Sequence, residues 1–170
     1  MGLSVQDFFE SFHGENATYP LDKFYVSQGA KIFSVTAWKE PNDDDKTYNG
    51  MPVSKVRTID AEFKVDSKFV NAAPTLKTYR IVENTETTIK IICLNRTRDI
   101  PYCDTFDCED ILTVRSMRPN SKCCIVQVGI NLIWHKSTMM KSMIKGNTET
   151  AAKSINADLA TLIKQFPFVE

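Results

Sequence analysis

Residues 121–166, SKCCIVQVGINLIWHKSTMMKSMIKGNTETAAKSINADLATLIKQF, read as one long alternating strand that runs straight into one long helix. In the strand, Cys124, Val126, Val128, Ile130, Leu132 and Trp134 recur at every second position, so they share one face of a sheet. The opposite face carries Gln127, Gly129, Asn131 and Ile133 and is only partly apolar. Ser137 or Thr138 offers a helix cap. Met140, Met143, Ile144, Ala151, Ala152, Ile155, Leu159, Leu162, Ile163 and Phe166 then follow at helical spacing. A helix of this length across the concave face of a curved antiparallel sheet either fills the concavity or roofs a cavity.

Upstream, residues 4–13 read as a short helix. Ser4 and Asp7 have capping-box spacing, Val5, Phe8, Phe9 and Phe12 make one face, and Gly14 ends it. A further helical turn or two is expected at 19–28. Strands are expected at 31–38, 54–65, 75–83, 87–94 and 102–117, with Pro119-Asn120 turning the chain into the final strand. Residues 41–52, with their Asp run, read as a solvated polar turn. The order helix, about six antiparallel strands, long helix is an α+β layout with helices segregated to one face. A sheet curling around a terminal helix is a helix-grip.

Composition narrows the function classes. One domain of 170 residues can bury a real core, and 42% apolar with 25% charged residues is ordinary for a globular chain. Lys plus Arg and Asp plus Glu are both 21, so the basic excess of a general nucleic-acid binder is missing. No apolar run reaches the roughly 20 residues of a membrane span. No signal-peptide pattern is seen, and Gln6 stands where a myristoylation motif wants Ser or Thr. Membrane work would therefore need visits to the bilayer or a tether outside these residues. Cys93, Cys103, Cys108, Cys123 and Cys124 contain no CxxC pair, so a zinc site is not expected; buried reduced thiols of a cytosolic protein are. The sequons at Asn16 and Asn95 carry no weight alone.

The catalytic inventory is poor. His13 and His135 are the only histidines, and neither sits in a triad or dyad pattern. His13, ending the first helix, reads as a dipole partner. No nucleophile elbow, P-loop or dinucleotide fingerprint occurs, and no cofactor is implied. A hydrolase or cyclase on this fold is disfavoured. Three features point elsewhere. Residues 66–74 join two strands, are too long for a tight turn, and carry Phe69 and Val70 beside Lys68. That pair suits a membrane-dipping loop or a cavity lid, or else Phe69 folds back onto the core. Lys136, Lys141 and Lys145 gather at the start of the long helix, either as an ordinary solvated face or as contacts to anionic headgroups. Asp110 shares a strand face with Phe106, Cys108, Leu112 and Val114. A carboxylate there needs a partner or water, and either helps bind a ligand hydroxyl or marks a face turned to solvent.

The run Asn95-Arg-Thr-Arg-Asp-Ile-Pro-Tyr102 leading into Asp104-Thr-Phe106 resembles the VASt or StART-like (StARkin) domain of the Aster and yeast Lam/Ltc proteins. Trp134 followed by Ser137-Thr-Met-Met-Lys-Ser-Met-Ile144 is similar too, as is the strand 32–38 closing on tryptophan after a Phe-rich helix. The resemblance covers nearly the whole chain and implies a fungal source. It implies a StART-like helix-grip domain over residues 1–170, cut from a longer membrane-anchored protein. It implies a pocket for one sterol, of ergosterol or cholesterol type, and non-vesicular transfer at contact sites on the cytosolic face of the endoplasmic reticulum. It implies a pocket wall of Phe33, Phe63, Tyr79, Phe106, Cys108, Asp110 and Leu112, continued by Val126, Val128 and Ile130 and closed by Met140, Ile144, Ala151 and Ile155. The lid maps onto residues 66–74, with Ser67, Lys68, Phe69, Val70 and Asn71 as membrane-contact residues. Another lipid such as a phospholipid, or a pocketless interaction module, are the rival readings. The family places a strand before the first helix, where only Met1-Gly2-Leu3 stand here. A monomer is expected, or a strand-swapped dimer if that strand is missing, because an open sheet edge invites pairing.

Overall fold

The computed structural model describes residues 2–65, 70–118 and 122–164. Helices α1 (Val5–Phe12) and α2 (Leu21–Ser27) lead into β1 (Lys31–Val35). A 3-10 turn (Asp43–Asp45) and two very short strands, β2 (Thr47–Tyr48) and β3 (Met51–Pro52), come next. Then follow β4 (Lys55–Lys64), β5 (Ala72–Asn84), β6 (Thr88–Thr97), β7 (Phe106–Ser116), β8 (Cys124–Trp134) and helix α3 (Lys141–Lys164). One antiparallel sheet has the order β1-β4-β5-β6-β7-β8, and β2 pairs with β3 alone. This is the α+β, helix-grip arrangement that the patterning predicts. The hairpin turn at Pro119-Asn120 and the helix residue Phe166 lie outside the described residues.

Alternation sets the two faces. Register carries Arg57 to Tyr79, Cys93, Asp110 and Ile130, and carries Ile81 to Ile91, Leu112 and Val128. These residues face the helices. At one end of this inner face, Ile81, Ile89, Ile91 and Val114 are fully buried beneath α1 residues Val5, Phe8 and Phe12. Each such side chain contributes roughly 1.5–3 kcal/mol by leaving water. Ser4 Oγ accepts from the Asp7 N–H at 3.1 Å, the expected cap.

Three elements differ from their sequence reading. The strand expected from 102 begins at Phe106, because Asp99 and Tyr102 adopt φ +57 and +68, a left-handed backbone that cannot extend. β1 stops at Val35, and Trp38 turns inward to give its indole N–H to the His13 carbonyl at 2.6 Å. Residues 41–52 are not a free solvated turn. Asn49-Gly50 (φ +50 and +75) closes the β2–β3 hairpin, and the segment lies on the outer face of the sheet. There Asp45 takes two bonds from Arg80, at 2.8 and 3.2 Å, and the guanidinium lies 4.6 Å from the Tyr48 ring centroid. Glu109, 2% exposed, accepts from the Tyr48 hydroxyl, from Asn49 at 3.2 Å and from Asn131 at 2.9 Å.

His13 is not a helix-dipole cation either. It is buried, stacked 6.1 Å from Phe9, and its carbonyl also accepts from Arg57 at 3.4 Å. Burial first, and the Arg57 charge second, hold it down to about 3, so it is neutral when folded. The unfolded chain takes up that proton near 6.5. Below 6.5 the unfolded state therefore binds more protons, and stability falls as pH falls, by up to about 1.4 kcal/mol per pH unit. Urea midpoints between pH 6.5 and about 5 should show this slope, and His13→Asn should flatten it; an unchanged slope in the variant would assign the acid sensitivity elsewhere.

Candidate functional site

The middle of the inner face carries a compact polar group in apolar surroundings. Lys77, on β5, donates to the Asn95 side-chain oxygen on β6 and lies 3.6 Å from the Asp110 carboxylate on β7. Asn95 Nδ2 donates to Asp110 at 2.9 Å and to the Cys108 carbonyl at 3.0 Å. The Lys77 ammonium also sits 5.3 Å from the Tyr25 ring centroid and 5.4 Å from that of Phe63. The hydroxyls of Tyr25 (α2) and Tyr79 (β5) are bonded to each other at 2.8 Å. The cluster exists because Thr75, Lys77, Tyr79 and Ile81 alternate on one strand face, and register delivers Asn95 and Asp110 beside them. An ammonium on this face would be costly alone; paired and hydrogen-bonded, it is held.

Burial alone would push the Lys77 amine down. The Asp110 carboxylate, 3.6 Å away, opposes that and raises it, and the Asn95 oxygen accepts from it, so Lys77 is held as an ammonium. Burial pushes the Cys93 thiol up to about 12 and does the same for Cys108, so neither offers a thiolate at neutral pH. Burial also raises the Tyr25 and Tyr79 phenols, which stay protonated and able to donate. The Asp110 side chain is one-third exposed, against 11% for Lys77. Water therefore reaches the carboxylate from the helix side.

Helix α3 explains that access. Ile144 is its one buried residue among those described, and Leu159, Leu162 and Ile163 pack on the core at its other end. Between these anchors Ile155 is 37% exposed, and on the sheet Val128 is 38% exposed. A solid core would bury such residues; here the middle of α3 and the centre of β8 leave apolar side chains uncovered between the two anchored ends.

Most of the expected wall residues share this space. Phe63 and Tyr79 flank the polar group, Cys108 and Asp110 belong to it, and Leu112, Val126, Val128 and Ile130 extend it along β7 and β8. The Phe106 and Trp134 rings lie 5.6 Å apart at the far end, tilted by 41°, with Met140 half-buried and Ile144 buried in α3. Two residues differ. Phe33 sits at the β1 bulge, 49% exposed under the Lys31 ammonium, and Ile32 packs on the core instead. Ala151 is exposed, while Ala152 is half-buried. Sequence reasoning missed Lys77, Asn95 and Tyr25, although strict alternation from Tyr79 already placed Lys77 on the inner face.

Of the expected lid, Ser67, Lys68 and Phe69 lie outside the described residues. Val70 is half-buried and Asn71 exposed, and the Asn71 carbonyl accepts from the Val65 N–H at 3.1 Å, which closes the base of the loop. The three lysines are exposed and each has a protein partner: Lys136 with Asp104, Lys145 with Glu149 at 3.8 Å, and Lys141 at 4.8 Å from the Trp134 ring centroid. Such surface pairs are weak and exchangeable. α3 starts at Lys141, and Thr138 Oγ1 accepts from the Met140 N–H at 3.1 Å. His135 lies 3.1 Å from Asp107, with no nucleophile beside the pair among the described contacts. A separate cleft of about 420 Å³, lined by Tyr19, Lys23, Asp158 and Leu162 among others, lies between α2 and α3 and contains none of the polar group.

A six-stranded antiparallel sheet gripping a long C-terminal helix, with a polar group on its inner face, is the arrangement of a StART-like lipid-binding domain. The profile of the VASt family, the VAD1 Analog of StAR-related lipid transfer domain, matches residues 1–151, and the chain belongs to that family. It is 27% identical over 147 residues to Protein VASCULAR ASSOCIATED DEATH 1, chloroplastic, of Arabidopsis thaliana. The match covers 86% of this chain and 23% of that relative, so the chain spans under a quarter of the relative's length.

Breaking the pair from one side should be costly. Lys77→Met is expected to lose about 2–3 kcal/mol, less than a fully buried pair because Asp110 is part-exposed. Lys77→Met with Asp110→Leu should regain most of it. Urea denaturation measures both, and a neutral single variant would show that the pair is not held as described.

Proposed function

We propose that the domain carries one sterol between membranes, at contact sites on the cytosolic face of the endoplasmic reticulum, without making or breaking a bond. The observation that carries this reading is the polar group Lys77–Asn95–Asp110 with Tyr25 and Tyr79, set among apolar residues of the sheet's inner face. A sterol is a rigid apolar body with one hydroxyl. Removal of its surface from water is favoured at roughly 25 cal/mol per Å², so transport needs a dry container with one or two polar partners. A hydroxyl both donates and accepts, and the cluster offers both kinds of partner: Asp110 accepts, and Lys77 and the phenols donate.

Membrane contact completes the cycle. The segment leading into α3 holds Lys136 and Lys141, with Lys145 one turn on, and Met139 between them is 100% exposed. Cations near an anionic surface gain roughly 1 kcal/mol each. An apolar side chain at the 66–74 loop leaves water by entering lipid, which lowers the cost of opening where release must occur. A phospholipid is the second reading, favoured by the fixed ammonium of Lys77, which suits a phosphate as well as a hydroxyl.

Incubation with a fluorescent sterol should show one bound per chain, and the loaded domain should move it between liposomes. Asn95→Leu should weaken binding about tenfold, the value of one lost polar contact of ~1.4 kcal/mol. Val70→Asp should slow transfer more than it weakens binding. Native mass spectrometry that recovered a phospholipid in place of added sterol would replace the cargo; an empty domain that takes up neither would end the carrier reading.

A further inference from the structure

Arg57, on β4, faces inward in register with Tyr79. It is 6% exposed, yet no carboxylate pairs with its guanidinium among the described residues. Nη1 reaches the His13 carbonyl at 3.4 Å, an acceptor that the Trp38 indole N–H already holds at 2.6 Å. Nε and Nη2 are buried with no hydrogen-bond partner. The Trp38 and Tyr79 ring centroids lie 5.3 and 5.7 Å from the guanidinium carbon. Such rings offset part of the cost of burying a cation, but they bring no counter-charge.

The choice of free atoms is specific. Nε–H and one N–H of Nη2 point the same way in the guanidinium plane and match the two oxygens of a carboxylate or phosphate. That edge, and not the Nη1 side, is the one without a partner. Two other carboxylates are engaged elsewhere: Asp110 with Lys77 and Asn95, and Glu15 with the Trp38 backbone N–H at 2.8 Å. His13 Nδ1 is also buried without a partner, and the Arg57 charge acts on that ring. In its Nδ1–H tautomer the imidazole is a further donor beside the guanidinium. A neutral acceptor would meet these N–H groups and leave the charge without a counter-ion.

We propose that the Nε–Nη2 edge of Arg57 is a binding site for an oxyanion, a carboxylate or phosphate held through both N–H groups. A sterol hydroxyl has one uncharged oxygen and does not fill such a fork, so this site is separate from the Lys77 group. A cleft of about 240 Å³ gives the approach, lined by Phe9, Gly14, Glu15, Trp38, Lys55 and Ile81 among others. Trp38 is common to both, lining the cleft and covering the guanidinium. Displacing the indole joins the cleft to the fork. Lys55 shares the strand face of Arg57 two residues away and brings a second cation to the entrance. Glu10 and Glu15 line the cleft as well, so charge at the entrance is mixed and selection falls to the fork. The head of an acidic lipid and a free phosphate present the same oxygens, and the test separates them.

Heteronuclear NMR of the whole chain follows the Arg57 Nε–H signal directly. Oleate supplies a lipid carboxylate, and inorganic phosphate at constant ionic strength supplies a free oxyanion. The expected result is a saturable downfield move of that signal, together with a shift of the Trp38 indole N–H, with at least one probe. Movement with oleate alone makes the ligand an acidic lipid, and movement with phosphate alone makes it a free ion. Movement with both shows a site that takes the oxyanion whichever molecule bears it. Arg57→Lys keeps a charge and loses the fork, so affinity measured by calorimetry should fall about tenfold or more, with an unchanged circular dichroism spectrum. No saturable shift with either probe overturns the proposal, and so does equal affinity in Arg57→Lys. The wild-type titration decides alone if that variant does not fold. None of these readouts uses sterol uptake, so failure here leaves the carrier reading standing.

Discussion

Lys77 governs this molecule. An ammonium on the inner face of a sheet must be met by a carboxylate and by hydrogen-bond acceptors, or it forces the site to stay wet. Asp110 and Asn95 supply them, from the two strands that register places alongside. Once that group occupies the centre of the inner face, an apolar helix cannot be laid flat over it without desolvating a charged pair. α3 accordingly meets the apolar core through Ile144 at one end and Leu159 to Ile163 at the other, and leaves Ile155 part-exposed between. The polar group thus keeps part of the inner face from being covered by apolar side chains, and it is a feature suited to orient an amphiphile.

The outer face solves the converse problem. Glu109 alternates with Asp110, so a carboxylate falls on each side of β7. The outer one is more completely buried and is satisfied by neutral donors from the β2–β3 hairpin and from β8. Arg80, held by Asp45 and stacked on Tyr48, clamps the same hairpin to β5. The sheet is therefore braced from outside while its inner face is left partly uncovered.

Much of this was legible in the residues. The period-two pattern of 124–134 fixed a face, and the spacing from Met140 to Ile163 gave the helix that lies over it. Asp110 on the inner face follows from the same parity rule. What parity could not show was partnership: Lys77, Asn95 and Tyr25 come together from three elements, and only the register brings them within bonding distance. The stretch 41–52 was misjudged because its acidic residues suggest solvent, whereas one of them serves Arg80 across the sheet; the Asn-Gly pair was the available signal for its hairpin. His13 misled in the opposite way. A histidine at a helix end suggests a charge, but Trp38 and Arg57 close over it, and closure depends on contacts more than twenty residues distant. Phe33, a wall residue by resemblance, is turned out at a bulge between Ile32 and Ser34 that an isolated strand does not reveal.

The central claim is that the space between α3 and the β7–β8 wall is where lipid lies. Methyl-resolved NMR of the chain, titrated with a sterol, addresses it most directly. The account predicts that methyls of Leu112, Val126, Val128, Ile130, Ile144 and Ile155 shift together and show contacts to the ligand, while those of Ile111 and Ile125 on the outer face stay still. Shifts confined to the outer face, or none in the inner set at saturating sterol, would contradict it.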